Sequence, residues 1–238
     1  GISYLSYLLK RYVFHESGTL VSGIIGGLYS STATISVLAR KSRKASEQEA
    51  TDYVAAMLLA VSMMFLRFMI LILIFSREIF LSIYPYLLTM AVVAAIVAWF
   101  IHSRQKRPEG QSAETEEDDS SNPLEFKVAL IFAILFVIFT FLTHYTLVYA
   151  GTGGLNLLSF VSGFSDITPF ILNLLQNTGS VAALIITACS MQAIISNIMV
   201  NMFYALFFAG KGSKLRPWIL GGFGVVIVCN LVLLLFFY

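Results

Sequence analysis

Two charged residues that lie within apolar sequence, Arg67 and Asp166, are the first candidates for chemistry in this chain. An arginine at the centre of a membrane helix costs at least about 2.5–3.5 kcal/mol unless it is paired, hydrated or extended to the surface. Three interpretations of Arg67 are therefore open. Its side chain reaches the outer surface, pairs with Asp166, or binds or gates a small anion.

Hydroxyl residues and glycines interrupt two apolar segments and supply further candidates. A helix that begins inside a membrane directs free backbone N–H groups and the positive end of its dipole at whatever lies there. Two such half-helices that enter from opposite sides predict a site near the bilayer midplane for an anion or a polar solute. Close packing of small residues is the alternative explanation. The candidates are Ser30, Ser31 and Thr32 in GIIGGLYSSTAT (23–34), and Asp166 and Thr168 in SGFSDITP (162–169).

A polar stripe marks a later apolar segment, in which Ser190, Asn197 and Asn201 share one helical face. Such a stripe either lines a pathway or forms hydrogen bonds to a neighbouring helix. No catalytic motif accompanies these residues, since no histidine or lysine within the membrane segments of the same repeat could serve the Ser30 cluster as a base. We therefore expect no enzyme activity, no cofactor and no metal site.

The composition indicates a membrane protein. The 238 residues are 58% hydrophobic and 12% charged, whereas soluble domains have about 45–50% apolar and about 25% charged residues. Several apolar runs reach the roughly 20 residues that cross a bilayer, and none shows the alternation of a β-barrel strand. A net charge of +2 without a basic cluster predicts no nucleic-acid partner.

The apolar segments form two sets of four, separated by an acidic stretch. We therefore predict that the chain consists of a first repeat (1–102), a cytoplasmic acidic linker (103–124) and a second repeat (125–238). Gly27 and Thr32 in the first repeat align with Gly163 and Thr168 in the second. The predicted segments are 2–9, 19–39, 53–75, 80–101, 126–149, 155–175, 180–208 and 217–238.

The positive-inside rule decides which segments cross. If 19–39 and 155–175 dip into the membrane and return, every lysine and arginine except Arg67 and Arg77 falls on one side. Loops 40–52, 102–125 and 210–216 are then cytoplasmic. Three crossings in each repeat invert the second repeat relative to the first. The prediction is an all-α membrane protein of two inverted repeats, each with three transmembrane helices plus a re-entrant broken helix.

The residues GGLYSSTATISVLARKSR (26–43) resemble a bacterial membrane domain of unknown function that usually follows an MgtC/SapB domain. The resemblance includes Arg67, the Gly-aromatic-Ser-Asp residues at 163–166, and Asn197. The chain departs from that family at Thr168, where an aspartate is usual, and at Asn201, where a lysine is usual. The resemblance implies a bacterial inner-membrane protein with an upstream MgtC/SapB-like membrane domain, which agrees with a first helix truncated at Gly1.

Together these features predict a transporter or channel domain in the lipid bilayer for a small ion or polar solute, with an anion favoured. The alternative is a scaffold or regulator that does not transport and binds a partner protein through its cytoplasmic loops. A glycine-rich face on the last segment suggests a homodimer or a contact with the upstream domain. The glycines are Gly221, Gly222 and Gly224.

Overall fold

The structure is a computed structural model that describes residues 18–43, 45, 47–104, 124–164, 166–176, 181–210 and 213–237. The predicted apolar run at 2–9, the acidic run at 114–119, and Ser165 lie outside the described residues. Every regular element within the described ranges is an α-helix. This agrees with the all-α prediction.

Seven helices occur in the described part of the chain. Five of them are long and apolar enough to cross a membrane, namely α1, α2 from Thr51 onward, α3, α6 and α7. The chain is therefore a membrane-embedded helical protein. The helices are α1 (Thr19–Lys41), α2 (Glu47–Phe75), α3 (Arg77–Ser103), α4 (Leu124–Ser162), α5 (Ile167–Gln176), α6 (Ala183–Ala209) and α7 (Arg216–Phe237).

Two of these helices are interrupted. Ser30 has extended backbone angles, φ −155° and ψ 108°, in the middle of α1. Gly151 has φ 57° and ψ −148° inside α4, a left-handed conformation that favours glycine because it has no Cβ. The short apolar helix Gly153–Ser162 follows Gly151. We call α1 the first broken segment, and Gly153–Ser162 together with α5 the second broken segment.

The first broken segment folds back on itself at Ser30. A Cβ atom added at Gly26 would lie 2.8 Å from Cγ2 of Thr34, eight positions further along the chain. In a straight α-helix the rise over eight residues is about 12 Å. The two halves of α1 therefore contact each other across the break.

The chain divides into two compact units, and the first contains the described residues of 1–68, 87–119 and 201–228. Its core includes the fully buried side chains Phe65 and Phe68 of α2. The hydroxyl of Ser62 donates a hydrogen bond to the Ala91 carbonyl at 2.8 Å, joining α2 to α3. All of the first broken segment belongs to this unit.

The second unit contains the described residues of 69–86, 120–200 and 229–238. The rings of Phe139 and Phe170 lie 5.7 Å apart between α4 and α5. The Asn173 amide donates to the Thr140 hydroxyl at 2.8 Å in the same interface. All of the second broken segment belongs to this unit, as does α6 up to residue 200.

Candidate functional site

The first half of α1 packs tightly against α2 through small residues. A Cβ added at Gly23 would lie 2.8 Å from Cα of Ala56, and one added at Gly27 would lie 2.5 Å from Cα of Ala60. Both contacts join residues that are 33 positions apart, so they advance along the two helices in the same direction. The first half of α1 therefore runs parallel to α2, with backbone against backbone.

Arg67 lies at the break in this segment. Its Nη1 atom donates a hydrogen bond to the carbonyl oxygen of Tyr29 at 2.7 Å, and its guanidinium carbon lies 5.1 Å from the ring centroid of Phe68. Tyr29 is the residue before Ser30, where the last carbonyls of the first half-helix lose their helical partners. A cation is favoured there because carbonyls form the negative end of the helix dipole.

The second half of α1 begins at the same place with a neutral cap. The Ser30 hydroxyl accepts a hydrogen bond from the backbone N–H of Ala33 at 3.4 Å, a long distance for a helix cap. Ser31 is buried, and the Thr32 carbonyl accepts a hydrogen bond from the Ser36 hydroxyl at 2.8 Å. The predicted residues Ser30, Ser31 and Thr32 are thus adjacent to the carbonyl that Arg67 binds.

The second broken segment packs against α6 through hydrogen bonds. The Ser159 hydroxyl donates to the Gln192 side-chain oxygen at 2.9 Å, and the Cys189 thiol donates to the Asn156 side-chain oxygen at 3.4 Å. Both pairs are again 33 positions apart. The half-helix Gly153–Ser162 therefore runs parallel to α6, as the first half of α1 does to α2.

Donors on α6 also bind the carbonyls at the end of this half-helix. The Ser196 hydroxyl donates to the Phe160 carbonyl at 2.6 Å, and the Asn197 amide donates to the Gly163 carbonyl at 3.2 Å. A Cβ added at Gly163 would lie 2.7 Å from the Asn197 backbone nitrogen. The turn is held on α6 by close approach and hydrogen bonds together.

A carboxylate caps the helix that follows this turn. Asp166, which is exposed, accepts a hydrogen bond from the backbone N–H of Thr168 at 2.9 Å. This is an N-cap, in which a side-chain oxygen binds an otherwise unpaired N–H of the first helical turn. The predicted residues Asp166, Thr168 and Asn197 therefore lie around one turn, and the N–H at Thr168 already has an acidic partner.

The structure divides the predicted site residues between the two units. Arg67 and Asp166 belong to different units, so their pairing stays a prediction. Asn201 is fully buried on α6 and belongs to the first unit. Within the described ranges, no group of three or more His, Cys, Asp and Glu residues could hold a metal ion.

Sequence reasoning did not find the polar pairs between the second broken segment and α6. Asn156 and Ser159 are separated from Cys189 and Gln192 by the same interval that separates Gly27 from Ala60. Comparing the two repeats at this interval would have revealed the contacts. The role of the Tyr29 carbonyl had no sequence signal, because any residue carries this group.

Comparison with known proteins gives a family but no activity. A family model described as Domain of unknown function (DUF4010) matches residues 1–209, a range that includes both broken segments. An uncharacterized protein of Aquifex aeolicus (strain VF5) is 25% identical over 227 residues, which cover 93% of this chain and 96% of that protein. No solved structure matches the chain.

Proposed function

We propose that this chain, which belongs to the family described as Domain of unknown function (DUF4010), is the membrane domain of a transporter or channel for a small ion or polar solute. An anion is favoured. The observation that carries the proposal is that each broken segment begins with a half-helix parallel to the long helix that follows it.

This direction supports re-entry into the membrane. Two successive helices that both cross a bilayer and are joined by a short loop must run antiparallel. The first half of α1 runs parallel to α2, and the chain turns sharply at Ser30, which would return it to the side it came from. Gly153–Ser162 and α5 have ten residues each, or about 15 Å, which is half of a roughly 30 Å hydrocarbon layer.

Interrupted helices favour transport over a purely structural role. Backbone that is not helical is tolerated within a membrane only where it is buried in protein or lines water. Paired interrupted helices in inverted repeats are typical of transport proteins, whose substrates bind near the breaks. The inverted arrangement and the meeting of both turns at one substrate site stay predictions from the sequence.

The charges at the two turns favour an anion at the first one. There the Arg67 guanidinium lies beside the start of the helix 31–41, whose cap is the neutral and distant Ser30 hydroxyl. At the second turn the Asp166 carboxylate already neutralises the helix start. An anion that approaches the first turn would therefore meet a cation and the positive end of a helix dipole together.

The proposal also includes the surroundings that the resemblance implies, which are a bacterial inner membrane and an upstream MgtC/SapB-like domain. A homodimer contact through α7 would use Gly221 and Gly224, since an added Cβ there meets no described atom within 4 Å. Gly222 already packs against other residues of the first unit. A Cβ there would lie 2.8 Å from Leu58 and 3.1 Å from Ile101.

Flux measurements on purified protein in liposomes test the proposal. The panel contains chloride, nitrate, phosphate, sulfate and magnesium, and the variants are Arg67→Gln and the matched control Arg77→Gln, whose exposed arginine begins α3. We expect flux of at least one anion to fall about tenfold or more in Arg67→Gln, equivalent to about 1.4 kcal/mol, and to persist in the control.

Two results would overturn the transport proposal. One is the absence of flux for every member of the panel with correctly folded protein. The other is equal flux in Arg67→Gln and Arg77→Gln. Either result would favour the scaffold alternative, in which deletion of 108–122 abolishes function in cells and Arg67→Gln is harmless.

A further inference from the structure

One face of α6 carries polar side chains that are buried deep in the second unit. Thr187 and Ser190 are one helical turn apart, and Asn197 follows at a spacing that returns to the same face. Their exposed fractions are 1%, 0% and 3%. We call the side chains of Thr187 and Ser190 the hydroxyl face.

Among the described residues, the hydroxyl face makes no hydrogen bond to a neighbouring helix. The Thr187 hydroxyl oxygen is buried and has no hydrogen-bond partner among the residues that the structure describes. The Ser190 hydroxyl donates to the Ile186 carbonyl of its own helix at 2.7 Å. Polar side chains that join membrane helices form hydrogen bonds across the interface, so helix association does not explain these two.

A different face of α6 does form hydrogen bonds to a neighbouring helix in this unit. Cys189, Gln192 and Ser196 point toward the half-helix Gly153–Ser162, and each makes a hydrogen bond to it. Polar residues on that face are therefore satisfied by protein. A buried hydroxyl without a protein partner is in most proteins satisfied by water or a ligand.

We infer that the hydroxyl face lines a hydrated path for the transported solute in the second unit. The inference rests on the proposed function, and it adds the chemistry of the path. Thr187 and Ser190 present neutral hydroxyls that both donate and accept hydrogen bonds. The path thus suits water and a partly hydrated small ion.

The position of Asn197 gives this path a direction. It lies on the same helix about two turns beyond Ser190, and its amide donates to the Gly163 carbonyl at the turn of the second broken segment. The hydroxyl face therefore leads from the Ala183 end of α6 toward that turn. Solute that follows it reaches the turn that also holds Asp166.

Cysteine reactivity in native membranes tests for water at this face. Thr187→Cys and Ser190→Cys are made in a background with Cys189→Ala and Cys229→Ser, and they are treated with the small water-soluble reagent 2-aminoethyl methanethiosulfonate. Ala193→Cys and Met191→Cys are equally buried controls on α6. Gly153→Cys, at an exposed position, shows that the reagent is active.

We expect positions 187 and 190 to react about tenfold faster or more than positions 191 and 193, in line with entry of water. Equal rates at all four positions, with Gly153→Cys reacting, would overturn the inference. This readout does not depend on transport, so it remains decisive if the liposome panel shows no flux.

Removal of one hydroxyl tests whether the path carries solute. Thr187→Val replaces the hydroxyl with a methyl group of similar shape, and Thr187→Ser keeps the hydroxyl. We expect Thr187→Val to lower flux several-fold without lowering the melting temperature, while Thr187→Ser retains flux. Unchanged flux together with a raised melting temperature in Thr187→Val would identify a dry buried hydroxyl and contradict the inference.

Discussion

The two broken segments share one geometry and differ in chemistry. In both, a short half-helix runs parallel to a long helix, with contacts between residues 33 positions apart. The first segment contacts α2 through glycine and alanine. The second contacts α6 through hydroxyl, thiol and amide side chains.

The difference shows two ways to hold a half-helix inside a membrane. The hydrophobic effect does not drive helices to associate within lipid. Close packing and interhelical hydrogen bonds must therefore hold them together. Gly23 and Gly27 permit backbone contact, whereas Ser159 and Gln192 supply a hydrogen bond. The ends also differ, since Arg67 binds a carbonyl at the first break and Asp166 caps an N–H at the second.

Gly27→Ala should have the largest effect on stability. The added Cβ would lie 2.5 Å from the Cα of Ala60 and 2.7 Å from its carbonyl oxygen, and backbone atoms of a packed helix cannot move aside. We expect a loss of about 1–3 kcal/mol in the free energy of unfolding, typical of overpacking, measured by denaturant titration in detergent micelles.

Gly221→Ala is the matched control for this change. An added Cβ there meets no described atom within 4 Å, and alanine favours a helix interior over glycine by up to about 1 kcal/mol. The control should therefore be neutral or stabilising. Equal losses in both variants would contradict the backbone contact between α1 and α2.

The caps of the two second half-helices provide a smaller contrast. Asp166→Ala removes an N-cap with a 2.9 Å hydrogen bond and should cost about 1 kcal/mol, while Asp166→Asn keeps an acceptor and should cost little. Ser30→Ala removes a long 3.4 Å hydrogen bond and should cost only a few tenths of the roughly 1 kcal/mol expected for Asp166→Ala. The measurement is thermal unfolding of the three variants. A larger loss of stability in Ser30→Ala than in Asp166→Ala would contradict this explanation of the two caps.

Loss of one interhelical hydrogen bond should have a smaller effect than loss of the Asp166 cap. Ser196→Ala removes the donor to the Phe160 carbonyl and should cost about 0.6 kcal/mol, the average for such bonds in membranes. Ser190→Ala is the control on the same helix, because its hydroxyl bonds within α6. Equal unfolding free energies for the two variants would contradict the claim that hydrogen bonds hold the second broken segment against α6.

The extent of the helices was largely predictable from the sequence. Apolar runs gave 53–75 and 80–101, where the structure has Glu47–Phe75 and Arg77–Ser103. Helix boundaries follow from hydropathy because a bilayer demands a fixed apolar length. The interrupted segments were also predictable, since glycine and hydroxyl residues in mid-membrane sequence are poor choices for contact with lipid.

The contacts of the candidate residues were less predictable. The three interpretations of Arg67 placed its side chain at the outer surface, beside Asp166, or at a substrate. The structure shows a different partner, the backbone carbonyl of Tyr29. Such a partner exists only because α1 breaks at Ser30. The Asp166 cap has the same origin, because a cap depends on the residue at which the helix starts.

The most direct test of the account is the side of the membrane reached by the two ends of α1. Gly18→Cys and Ala45→Cys, each in a background without native cysteines, are labelled in oriented vesicles with a reagent that does not cross membranes. Re-entry predicts that both cysteines react from the same side, the cytoplasm. Labelling from opposite sides would show that α1 crosses the bilayer and would contradict the re-entrant arrangement on which the proposed function rests.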